Sequence, residues 1–225
     1  GYDVLKPWDE SVDAYSSTPL RPFANEEEFM EKAKPIFAKV DPQCDAWYRQ
    51  MVEEGLMDLM GRKGKANGGY CTAFPRAKRP FIFMNGVGTH DDVQTLLHEA
   101  GHCFHAYECF ELPYGLMKNP GLEFCEVASM GMEMLCQPYL DAYYSPAEAA
   151  RAQIQHLEKC LLFWPYMAVV DGFQHWAYST PEGRDAAACD KAWTDLWRTF
   201  MKGTDWSGEE EIEATGWHRK LHIFQ

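Results

Sequence analysis

Residues 98–102 read His98-Glu99-Ala100-Gly101-His102, and no other stretch constrains the chain as tightly. Two imidazoles four positions apart stand one turn apart on one face of an α-helix, where both can hold a single divalent ion while the glutamate flanks the ion's open side. The surrounding residues predict that helix. Val93, Leu96, Leu97, Ala100 and Phe104 recur at three and four residues, behind Thr89 and Asp92 as a cap pair. A carboxylate at position 99 can take a proton from water that zinc has made acidic and return it to a leaving amine.

Two histidines do not complete a tetrahedral site, so a third ligand is required. His105 shares the helix, but a straight helix sets it about 10.5 Å along the axis from His98, too far for all three rings to meet one ion; it is read as a supporting or packing residue. The elongated metalloprotease pattern would need Gly where this chain has His105 and His where it has Glu108, which excludes that class. The third ligand is therefore expected from a second helix, within the run Glu-Phe-Cys-Glu-Val-Ala-Ser-Met-Gly-Met-Glu at 123–133. Spacing leaves Glu123 and Glu126 both open. Glu133, two turns beyond Glu126, returns to nearly the same face and can accept a hydrogen bond from a ligating imidazole.

The remaining signals are mostly helical. Asn25 with Glu28 caps a helix through about residue 40, which Pro35 should kink or divide. Asp41-Pro42 starts another, expected to reach about Met60. The glycines of 61–69 stop it, and 70–74 and 81–84 are short β-type runs joined by 75–80, the two strands the sequence predicts. A helix from near Gly121 should carry Glu126 to Cys136. Ser145-Pro146-Ala147-Glu148 opens a long helix running toward Tyr178, with Pro165 inside. Thr180-Pro181 and Ser207 with Glu210 mark the last two. The fold class is α+β, mainly α-helical, with a small β-sheet edge beside the H-E-x-x-H helix.

Charge and cysteine content narrow the function classes. The 225 residues carry 21 Lys+Arg against 34 Asp+Glu, a net charge of −13 that repels nucleic acid and anionic membranes. The basic cluster Arg76, Lys78 and Arg79 reads as a solvated hairpin tip. No apolar run is long enough to span a bilayer, and the start Gly1-Tyr2-Asp3-Val4-Leu5-Lys6 lacks the build of a secretion signal. The eight cysteines form no C-x-x-C pair and read as reduced thiols in a reducing compartment. A cytoplasmic protein without nucleic-acid or membrane partners is expected.

Taken together, these residues resemble the M3 oligopeptidases, and within them the bacterial oligoendopeptidase F group. The resemblance rests on His98-Glu99-x-Gly101-His102-x-x-His105, on Glu126-Val127-Ala128-Ser129 and on Glu133. Further matches are Lys65-Ala66-x-Gly68-Gly69-Tyr70-Cys71, Pro80-Phe81-Ile82 with Asn85, Phe173-Gln174-His175-Trp176 and Leu221-His222-Ile223-Phe224. It implies a zincin-type metallopeptidase domain with one zinc per chain, whose third ligand is the glutamate that maps to Glu126. It also implies a zinc-dependent endopeptidase that hydrolyses short peptides with Glu99 as general base. Phe81, Ile82, Phe83 and Met84 would then be the edge along which a peptide pairs by backbone hydrogen bonds, and His222 would line the cleft as a catalytic residue.

Family members are longer than this chain. The resemblance therefore implies that 1–225 is a single partial catalytic domain, with an N-terminal helical region and a C-terminal tyrosine-rich segment outside it. The alternative on that account is a zinc-containing peptide-binding fragment without turnover. A di-metal carboxylate protein would need a second E-x-x-H on a facing helix, and the sequence has one.

Overall fold

Asn25 opens the first helix, its side chain accepting from the Glu28 N–H at 2.9 Å. This helix, α1 (Glu26–Val40), is not divided at Pro35. Its buried face of Phe29, Ala33, Ile36 and Phe37 holds the turn that lacks one backbone donor. Asp41 caps α2 (Pro42–Glu53) in the same way, with the proline at the first helical positions. The computed structural model describes residues 4–10, 12 and 18–224; the side chains of Leu221 and His222 also lie outside the description.

The second helix ends well before Met60. Gly55 takes φ +65°, a left-handed conformation that closes a helix at little cost only for glycine. The chain then forms a strand, β1 (Met57–Met60), that the sequence reading assigned to helix. With β2 (Tyr70–Phe74) and β3 (Arg79–Gly86) it makes a three-stranded sheet in the order β1-β3-β2. β1 pairs parallel to β3 and β2 pairs antiparallel to it. β3 is therefore the middle strand, which corrects the expectation that Phe81, Ile82, Phe83 and Met84 form an edge. Ile82 and Met84 point into the core; the free edges among the described residues belong to β1 and β2.

A buried lysine fastens the sheet. Lys65, with its side chain 1% exposed, ion-pairs Asp58 at 2.9 Å and donates to the Met60 carbonyl at 2.9 Å. Its ammonium also lies over the Phe83 ring. The basic tip after β2 is neutralised by acids of the same chain: Lys78 meets Glu111 at 2.8 Å and Arg79 meets Glu54 at 2.9 Å.

The sheet packs on α3 (His90–Phe110), the helix that carries the histidines. Asp92 anchors its start by accepting the N–H groups of Val87, Gly88 and Thr89 at 2.7–2.9 Å. The next helix, α4 (Val127–Cys136), begins later than the sequence suggested, because Gly121 is followed by a 3-10 turn, Leu122–Phe124, and Glu126 lies outside the helix at φ −93°, ψ 2°. Ser145 and Glu148 close the predicted cap of α5 (Pro146–Ser179), their side chains 2.7 Å apart. Thr180-Pro181 leads into a 3-10 turn, and Asp185 caps the true helix, α6 (Ala186–Phe200). A short α7 (Glu210–Ala214) follows.

The chain divides into two compact units, residues 18–153 and residues 1–17 with 154–225. The first is built around Phe29, Phe37, Tyr48, Leu59, Leu96 and Leu97. The second is built around Val169, Phe173, Trp193 and Ile223, with Phe173 and Trp193 in edge contact at 5.3 Å. The architecture is mainly helical α+β. No helix among the described residues is long and apolar enough to cross a membrane.

Candidate metal centre

The site is assembled from α3 and the start of α4. His98 and His102 stand one turn apart, as the spacing requires, with ring centroids 4.9 Å apart and planes at 83°. What brings the third group to them is a close helix crossing at Gly101. A Cβ at that position would lie 2.7 Å from the Ala128 carbonyl oxygen and 2.7 Å from Ser129 Cα. Only a residue without Cβ lets the two backbones approach this far. The crossing sets Glu126 over the histidine face, with its Oε2 3.0 Å from His98 Nε2 and 3.2 Å from His102 Nε2.

Geometry thus separates the two candidate glutamates. The ligand atoms of His98, His102 and Glu126 all lie within 4.8 Å of one another. Glu123 is exposed and folds back over Gly121 instead. Glu133 Oε1 lies 2.6 Å from His98 Nδ1, the ring nitrogen opposite the one that faces Glu126. Ser129, which the sequence motif left without a task, contacts Glu126. Fully buried, its hydroxyl donates to Glu126 Oε2 at 2.7 Å and to the Glu126 carbonyl at 3.1 Å. Its three-residue offset from Glu126 was the available signal.

The charges of the cluster are strongly coupled. Burial opposes the charged form of His98, but hydrogen bonds to Glu126 and Glu133 outweigh it and push its pKa up to about 10. Hydrogen bonds from His102 and His98 hold the Glu126 carboxyl far below the usual carboxylate range. Two imidazole nitrogens and one carboxylate oxygen are the donor set of a zinc site that leaves a fourth position open. The 51% exposure of the Glu126 side chain leaves that side accessible.

Glu99 stands apart from the three donors. It is 6% exposed, and its Oε2 is buried without a hydrogen-bond partner. Desolvation raises its pKa; the charges of His98 and His102 and the backbone N–H of Cys71 on β2 oppose the rise. His105 is half-buried and outside the converging group. The side chain of His222 lies outside the described residues. Phe81 and Phe83 are half-buried on the middle strand.

A sequence model described as peptidase family M3 matches residues 5–225. Among curated proteins, Oligopeptidase PepF of Bacillus subtilis strain 168 is 33% identical over 130 residues, covering 55% of this chain and 19% of that protein. Among solved structures, PZ peptidase A with an inhibitor aligns with TM-score 0.89 and 37% identity over 99% of this chain and 39% of that one. A structure from Bacillus anthracis strain Ames, assigned to oligoendopeptidase F, gives 0.79 and 32% over 94% of this chain and 38% of its own. The chain spans less than two fifths of the length of each of these relatives.

Proposed function

This chain belongs to peptidase family M3, and from that premise we propose that it is the zinc-binding catalytic part of a cytoplasmic endopeptidase acting on short peptides. The observation that carries the reading is the convergence of His98, His102 and Glu126 within 4.8 Å, with Glu99 buried beside them. Both imidazoles and the Glu126 carboxylate would hold one zinc. When bound, zinc supplies Lewis acidity at its open position, making water acidic enough to ionise near neutral pH.

The chain's own residues do the rest. Glu133 keeps His98 in the tautomer with Nε2 toward the ion, and Ser129 keeps the Glu126 carboxylate from rotating away. Glu99, destabilised as an anion by burial, accepts the proton of the attacking water and delivers it to the departing amine. The peptide pairs along β2 in place of the 81–84 segment, since among the described residues β2 is an edge strand and β3 is not. The backbone of Cys71, on that edge, already faces the Glu99 carboxylate, so a peptide lying there passes the base. His222 is retained as a proposed residue of the cleft, on the family resemblance alone.

The test is metal analysis together with cleavage of an internally quenched peptide. One zinc per chain and cleavage abolished by a chelator are expected. Cleavage that survives complete zinc removal would sink the reading.

A further inference from the structure

Two sulfurs beside the metal helix have no part in the chemistry above. Cys71 Sγ, half-buried on β2, lies 3.3 Å from Cys103 Sγ, buried on α3. Neither belongs to the converging metal donors. The position is specific on both sides. Cys103 follows Glu99 by one helical turn, so both side chains face the same strand; there the Cys71 backbone N–H meets Glu99 while the Cys71 side chain meets Cys103. The sulfurs need to approach by about 1.2 Å to reach covalent distance.

We propose that Cys71 and Cys103 are a reversible oxidation site that closes to an intramolecular disulfide, taking a small-molecule disulfide of the glutathione type as oxidant. The half-buried Cys71 thiolate attacks the disulfide, forming a mixed disulfide and expelling one thiolate. Cys103 Sγ then attacks Cys71 Sγ, its proton passing to the released thiolate, and the second small thiol leaves. Two protein thiols are oxidised and one disulfide is reduced to two thiols. The adjacent Cys103 makes the mixed disulfide short-lived, whereas a solitary surface cysteine would keep its adduct. The bond would tie the free edge strand to the metal helix one residue from His102. It would also close the loop between residues 71 and 103, which restricts the unfolded chain and raises thermal stability. The inference concerns thiol geometry and does not depend on the peptidase reading.

The experiment treats the full chain with oxidised glutathione at neutral pH, counts thiols after denaturation, and maps non-reduced peptides by mass. The eight thiols should fall to six, with a Cys71–Cys103 peptide that dithiothreitol reverses and a Tm that rises on oxidation. C71S should retain its remaining seven thiols, and C103A should accumulate a stable glutathione adduct on Cys71. A wild-type chain that holds glutathione on Cys71 while Cys103 stays free would overturn the proposal, as would loss of two thiols at other positions. Both are read on the wild-type chain, so the outcome stands even if C103A fails to fold.

Discussion

Gly101 and Ser129 meet backbone to backbone: a Cβ on the glycine would stand 2.7 Å from Ser129 Cα. That approach sets the distance between the histidine helix and the start of α4, and with it the reach of Glu126 to the two imidazoles. Gly101→Val should push the helices apart, cost about 1–3 kcal/mol through overpacking, and weaken zinc binding at least tenfold. Thermal unfolding and zinc titration check it; a variant with wild-type zinc affinity would show that the crossing does not position the site.

Removing donors one at a time distinguishes ligands from bystanders. Glu126→Ala should lose stoichiometric zinc, while Glu123→Ala keeps it, because only Glu126 reaches both imidazoles. Glu133→Ala should weaken zinc about 10–100-fold, the usual cost of freeing a ligating ring. Metal analysis after dialysis decides, and zinc lost only from Glu123→Ala would contradict the geometry.

Glu99→Gln should keep zinc and fold, since Glu99 is not among the donors, yet reduce peptide cleavage by at least about 10²–10⁴-fold because an amide cannot accept the proton. A fully active, zinc-loaded Glu99→Gln enzyme would remove Glu99 from the mechanism.

Zinc affinity should rise about tenfold per pH unit from about pH 6 to pH 9, because the ion must displace the proton that Glu126 and Glu133 hold on His98. The same proton stabilises the zinc-free fold. With the folded pKa raised to about 10 from an ordinary 6.5, this contribution is full below 6.5 and disappears as pH rises toward 10. Zinc-free Tm should therefore decline over that window more than zinc-bound Tm does. Calorimetric titration in buffers of different ionisation enthalpy counts the released proton; pH-independent affinity would refute the linkage.

Acid should expose the clasp at the sheet. Arg62 and Lys65 hold the Asp58 carboxyl down at about 2. Its stabilising contribution is present above the ordinary value of 3.8 and lost as pH falls through about 2. Asp58→Asn should lower Tm at pH 7 and flatten the acid limb of the stability profile. An unchanged acid limb would show that the Lys65 cluster does not hold the sheet.

Helical periodicity by itself determined which face carries His98 and His102, and the caps at Asn25, Asp41 and Ser145 were legible because a cap is made within three residues. Each of these rests on distances that a single helix fixes. The strand at 57–60 was not legible. Its pairing partner lies more than twenty residues away, and a short apolar run after a helix reads equally well as more helix until Gly55 turns left-handed. For the same reason, runs 70–74 and 81–84 could be recognised as strands while their order could not: which of them is the edge depends on where β1 inserts. Spacing left Glu123 and Glu126 equal, and the resemblance to the M3 oligopeptidases pointed to Glu126; the tertiary structure is what stands Glu126 over both imidazoles. Both are acidic, both precede α4, and a close contact at Gly101, between segments far apart in sequence, aims only one of them at the imidazoles. Local spacing determined the chemistry that two histidines and a glutamate could perform, and long-range packing decided which glutamate stands over both imidazoles and which strand lies at the edge of the sheet.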